Sequence, residues 1–97
     1  MTGTGDLTLT ASVSINKGVL FQQLQDEGVL LNLDSGQYFG LDGIGTRIWN
    51  LLATGKSLPE IASTIVSEYE VGRTQCEADL LKLIGDLDAH GLVSSSR

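Results

Sequence analysis

Cys76 and His90 are the single cysteine and the single histidine of the chain, the two residues from which a thiolate nucleophile and its base would have to be built. Both fall in one helical stretch, and at about 1.5 Å rise per residue the helix separates them by about 21 Å. A nucleophile and its base must lie within hydrogen-bond reach, so no such pair forms. One Cys and one His also cannot complete a zinc site of the usual Cys/His kind. Cys76 lies on an apolar stripe, the place of a small buried hydrophobe. His90 lies in the last turn of its helix, where a cation complements the dipole. Gly40-Leu41-Asp42-Gly43-Ile44-Gly45 has the glycine content of a phosphate loop. Its order is wrong for G-x-G-x-x-G, and no Gly-Lys-Ser/Thr follows. Carboxylates are plentiful, but no spacing sets two of them apart as acid and base. Arg47 and Trp49 stand on the first helix, and Trp49 fits a core position. No catalytic residue, cofactor or metal ligand is assigned, and a non-catalytic binding module is expected.

The remaining chemistry is that of the backbone. Val29-Leu30-Leu31-Asn32-Leu33 is an apolar, strand-like run. Asp34-Ser35-Gly36 follows as a three-residue hairpin loop, with Gly36 at the left-handed position. Gln37-Tyr38-Phe39-Gly40-Leu41 is a second strand-like run, and a helix over Ile44–Leu52 begins almost at once. The chain ends its sheet on the 37–41 strand and leaves for helices. A strand left uncovered presents a row of open N–H and C=O groups on which another peptide can pair.

The other elements place that strand. Leu7, Leu9, Ala11, Val13 and Ile15 alternate with polar residues, so part of this segment is extended, with its place in the sheet undetermined. Val19–Leu24 is a clearer strand, and Gln25-Asp26-Glu27-Gly28 turns the chain, with Gly28 free to take positive φ. Sequential strands usually neighbour each other, which gives a three-stranded meander with 37–41 at an edge. Asp42 caps the first helix and Gly55 stops it. Ser57-Leu58-Pro59-Glu60 is a capping box with proline in the first turn. Thr74-Gln75-Cys76-Glu77 reads as another, opening a third helix that runs to about His90. Gly91 ends it, and Leu92 and Val93 fold back on the last turn. The expected fold is α+β and winged helix-turn-helix-like, a three-stranded antiparallel sheet followed by three helices. Residues 1–12 are expected to be a flexible N-terminal segment, 13–93 the domain, and 94–97 a disordered tail.

At about 100° per residue, Cys76, Leu80, Leu83, Ile84 and Leu87 share the core face of the third helix. Leu81, Gly85, Ala78 and Ala89 make a second, thinner strip edged by Glu77 and Asp88. Such a strip suits a shallow groove. The alternative is that Leu81 is a scattered surface leucine, which is common.

Composition narrows the partners. The net charge is -6, twelve acids against six bases. Nucleic acid is disfavoured, since affinity for it comes from Lys and Arg displacing counterions. Anionic membranes are disfavoured for the same reason. No apolar run approaches the ~20 residues of a membrane span. Met1–Asp6 has neither the positive start nor the apolar stretch of a signal peptide. A lone cysteine fits a reducing cytoplasm. Ninety-seven residues make one domain, with little volume for a deep enclosed site.

Leu30-Leu31-Asn32-Leu33, Ser35-Gly36-Gln37-Tyr38-Phe39-Gly40-Leu41-Asp42, Gly45-Thr46-Arg47-Ile48-Trp49 and the closing Asp79-Leu80, Leu87 and Gly91-Leu92-Val93 together resemble the PqqD-like family. The resemblance covers about residues 13–93 and is greatest to the free-standing recognition elements of lasso-peptide pathways. It implies a protein that binds the leader of a ribosomally made precursor peptide and presents it to a maturation enzyme. In the lasso branch that enzyme is a leader peptidase; in the pyrroloquinoline quinone branch it is a radical SAM enzyme. It further implies that the leader adds a strand beside the third strand and packs on the third helix. In this chain the strand is Gln37, Tyr38, Phe39, Gly40 and Leu41, and the expected helix wall is Leu81, Ile84, Gly85 and Asp88. Two other readings stand beside it. A winged-helix DNA-binding regulator would place four carboxylates, Glu77, Asp79, Asp86 and Asp88, against Lys82 in the major groove. A homodimer would pair two copies edge to edge through the same strand.

Overall fold

The computed structural model describes residues 8–96. The element order is β1 (Ser12–Ile15), β2 (Val19–Leu24), β3 (Glu27–Asn32), β4 (Gln37–Leu41), α1 (Gly43–Ala53), α2 (Leu58–Tyr69), α3 (Arg73–Ala89) and β5 (Val93–Ser96). The fold is α+β, an antiparallel meander in the order β2-β3-β4 followed by three helices. Strand residues alternate faces. Phe21, Leu30 and Phe39 therefore form one inward row across the sheet, and Leu20, Leu31 and Tyr38 the adjacent outward row. The inward row packs on α1, where Phe21 meets Trp49 at 6.2 Å between ring centroids. The core then continues through Ile48, Leu52, Leu58, Ile61, Ile65, Leu80, Ile84 and Leu87, all buried.

Local chemistry sets the helix ends. Asp42 Oδ1 accepts from the Gly45 amide at 2.7 Å, the N-cap expected of it. Ser57 and Glu60 close the expected capping box: the Ser57 amide donates to Glu60 Oε1 at 2.9 Å and the Glu60 amide to Ser57 Oγ at 3.3 Å. At the end of α3 the Leu92 amide reaches Leu87 O and the Gly91 amide reaches Asp88 O. Gly91 has φ +72°. This is the Schellman pattern, and it buries Leu92 and Val93 on the last turn.

Four expectations are corrected. First, α3 starts two residues early, at Arg73, with Gly72 in place of Thr74 as an N-cap that makes no side-chain bond. The Thr74 capping box does not form, because Thr74 lies inside the helix, and Glu77 pairs with Arg73 at 2.6 Å. Second, Gly28 is not in a turn. The first hairpin turns on Gln25 (φ +59°) and Asp26, and Gly28 lies buried inside β3. A Cβ there would stand 2.6 Å from Phe21 Cε1 and 3.0 Å from Thr46 Oγ1, so glycine serves close packing. Third, the second hairpin loop has four residues, 33–36, rather than three, although Gly36 is left-handed as expected (φ +74°). Fourth, the expected loose tail is a strand as far as Ser96. β5 pairs antiparallel with β1, from Ser12 opposite Ser96 to Ile15 opposite Val93. Of the expected flexible segment, residues 1–7 lie outside the described residues, as does Arg97; Ala11 is buried and Ser12 opens β1.

Candidate peptide-binding groove

β4 pairs with β3 on one side, and among the described residues no strand pairs with its other side. The described part of the N-terminal segment goes to β5 instead. The free edge of β4 runs along a groove of about 500 Å³. Phe39, Gly40 and Leu41 form one wall, and Ile44, Gly45 and Ile48 of α1 form its floor. The second wall is α3, through Asp79, Lys82, Leu83 and Asp86. The floor and the Leu83 side are apolar, while the α3 rim is charged. Lys82 Nζ lies 3.2 Å from Asp86 Oδ2, and Asp79 Oδ1 accepts from Gln75 Nε2 at 2.8 Å. At the far end, the His90 ring stands edge-on to Phe39 at 5.0 Å.

The five strand residues thus lie together on an open edge. The four helix residues expected from the sequence do not join them. Ile84 is fully buried in the core. Leu81 is half-buried, Gly85 is exposed, and Asp88 Oδ2 accepts from Ser95 Oγ of β5 at 2.6 Å. Helical periodicity explains the outcome. Leu80, Ile84 and Leu87 form the buried stripe, with the groove-side residues Asp79, Lys82 and Asp86 on one flank and Leu81, Gly85 and Asp88 on the other. The wheel shows two flanks but not which one faces β4. Asp79, Lys82, Leu83 and Asp86 have the i, i+3, i+4, i+7 spacing of one helix face, but Leu83 also falls on the core face and the other three are charged, so polarity does not mark the set as a groove wall.

Neighbouring side chains that suggested chemistry have structural partners. Arg47 Nε and Nη2 donate to both oxygens of Glu68 at 3.0 and 2.8 Å, tying α1 to α2. That bidentate bond raises the Arg47 pKa and holds the Glu68 carboxyl below its ordinary range. Cys76 Sγ faces Ala62 O at 3.7 Å, and burial pushes its thiol up, away from the thiolate a nucleophile needs.

The model of the family described as Coenzyme PQQ synthesis protein D (PqqD) matches residues 27–93 of the chain. The chain belongs to the PqqD family. The match begins at β3 and takes in β4, all three helices and the first residue of β5, so both groove walls lie inside it. Two solved structures are similar to this PqqD-family chain. One is TbiB1 in complex with the TbiA(beta) leader peptide, 42% identical, with a TM-score of 0.81 over 84% of this chain and 94% of that one. The other is lasso peptide synthetase B1 complexed with the leader peptide, 30% identical, with a TM-score of 0.79 over 86% of this chain and 98% of that one. No curated protein sequence matches the chain.

Outside the groove, the outer face of the sheet is apolar and bare. Tyr38 is 71% exposed, Leu20 54% and Leu24 55%, around half-buried Val29 and Leu31. No helix among the described residues is long and apolar enough to cross a membrane.

Proposed function

We propose that this protein binds the leader of a ribosomally made precursor peptide and hands it to a maturation enzyme, the leader peptidase of a lasso-peptide pathway. The observation that carries this reading is that both similar structures, spanning nearly their whole chains, are complexes with leader peptides. The mechanism is β-augmentation. The leader lies along β4 as a fourth strand, and its backbone pairs with alternate residues of Gln37–Leu41. Every second leader side chain then enters the groove, against Phe39, Ile44, Ile48 and Leu83. Pairing supplies attraction independent of sequence, and the groove supplies selection. A disordered leader loses conformational entropy on docking, which keeps net affinity moderate.

Delivery requires a surface that stays open once the groove is filled. The outer sheet face around Leu20, Leu24 and Tyr38 is apolar and clear of the groove, as a site for the enzyme would be. The protein's part in the reaction is to bind and position, and the chemistry belongs to the enzyme. The family match favours a second reading, a peptide chaperone for a radical SAM enzyme, with the same groove and a different recipient. Titration with labelled TbiA(beta) leader and with the leader encoded beside this chain's gene tests binding. Saturable binding of either supports the reading, and binding of neither contradicts it. Leader removal by a co-encoded peptidase, stimulated by this protein, separates the two recipients.

A further inference from the structure

Asn32 uses both ends of its side chain, which link the loop before β4 to the C-terminal end of α3, the two elements that carry the groove walls. Its Oδ1 accepts from the Asp34 amide at 2.9 Å and the Ser35 amide at 3.3 Å, shaping the loop that launches β4. Its Nδ2 donates to His90 O at 3.0 Å, just past the last turn of α3. Among the described residues this is the only hydrogen bond between the β3–β4 hairpin and α3 with its cap. The contact is close: a Cβ on Gly91 would lie 3.0 Å from Asn32 Nδ2. His90, held there, places its ring against Phe39, which lines the groove.

Resting on the leader-binding reading, we propose that Asn32 is a positioning residue for the leader. It fixes the spacing between β4 and the C-terminal end of α3 without touching the peptide. A strand added to β4 must fit both walls at once, so a change in their spacing alters the fit. Asn32→Asp isolates the effect. The carboxylate still accepts from Asp34 and Ser35, but it cannot donate to His90 O and places an oxygen against it.

The test uses the full chain, with labelled TbiA(beta) leader as the probe and stopped-flow and NMR as readouts. In N32D the leader dissociates about fivefold faster at an unchanged association rate, the scale of one lost neutral hydrogen bond. In the free protein the Phe39 ring protons shift as the His90 ring moves away. If N32D does not fold, Asn32→Ser takes its place, since a hydroxyl still accepts at the turn but falls short of His90. A lower Tm with unchanged dissociation and unchanged Phe39 signals overturns the proposal, leaving Asn32 as a stabilising residue only. Failure of the wild type to bind overturns the leader reading and this role with it. Wild-type binding matched by N32D overturns this inference alone.

Discussion

Gly28 carries a constraint that its sequence neighbours do not announce. It follows three polar residues, Gln25-Asp26-Glu27, and so reads as part of a turn, yet it sits in β3 beneath Phe21 and above Thr46. Only the pairing of β2 with β3 and the packing of α1 on the sheet bring those atoms together, and neither is local information. Gly28→Ala overpacks this site and should destabilise the fold by about 1–3 kcal/mol, read from the urea midpoint. The caps were legible because they are local: Asp42 and Ser57 reach amides three residues on. Ser57→Ala should lower stability by about 1 kcal/mol. The partner residue adds a pH signature. The Ser57 amide, donating to the Glu60 carboxylate, holds that carboxyl below its ordinary value of 4.5. A depressed folded-state value means its contribution is complete above the unfolded value and is lost as pH falls through the folded one. The stability gap between wild type and Glu60→Gln should therefore be constant at neutral pH and shrink as pH falls below about 4.5. Thermal melts across pH 3–7 check it, and a gap that widens in acid would contradict the assignment.

At the scale of elements, the sheet order and the three helices were readable from alternation, caps and glycine stops. The missing part was how α3 is rotated relative to β4. A helical wheel ranks faces by polarity, so the small apolar strip at Leu81 and Gly85 looked like the groove wall. The structure turns the other flank to β4, where one leucine stands among Asp79, Lys82 and Asp86. Leu83→Ala should weaken leader binding about tenfold, whereas Leu81→Ala should leave it within about twofold, both by titration. The β1–β5 pair is hidden in the sequence for a related reason. Val93-Ser94-Ser95-Ser96 has little strand propensity, and its pairing with Ser12–Ile15 spans nearly the whole chain. For β4 itself the edge geometry makes a parity prediction. Successive residues of an edge strand aim their amides alternately at the partner strand and at solvent. Of Phe39→Pro and Gly40→Pro, one should lower Tm by breaking the ladder to β3, and the other should keep Tm while abolishing leader binding.

At the scale of the molecule, the proposed function uses two surfaces: a groove closed by β4 and α3, and the apolar outer face of the sheet. The double variant L20D/L24D should retain leader affinity within about twofold, since those side chains lie on the far face of β2. The net charge of -6 makes duplex DNA an unfavourable partner, and α3 sets four carboxylates against Arg73 and Lys82. An amide-resolved NMR titration of the full chain with the TbiA(beta) leader tests the central claim most directly. The account predicts shift changes and new exchange protection along Gln37–Leu41, together with shifts at Asp79, Lys82, Leu83 and Asp86. Changes centred on the β2 edge, or on the Leu81–Gly85–Asp88 flank with β4 unperturbed, would contradict it.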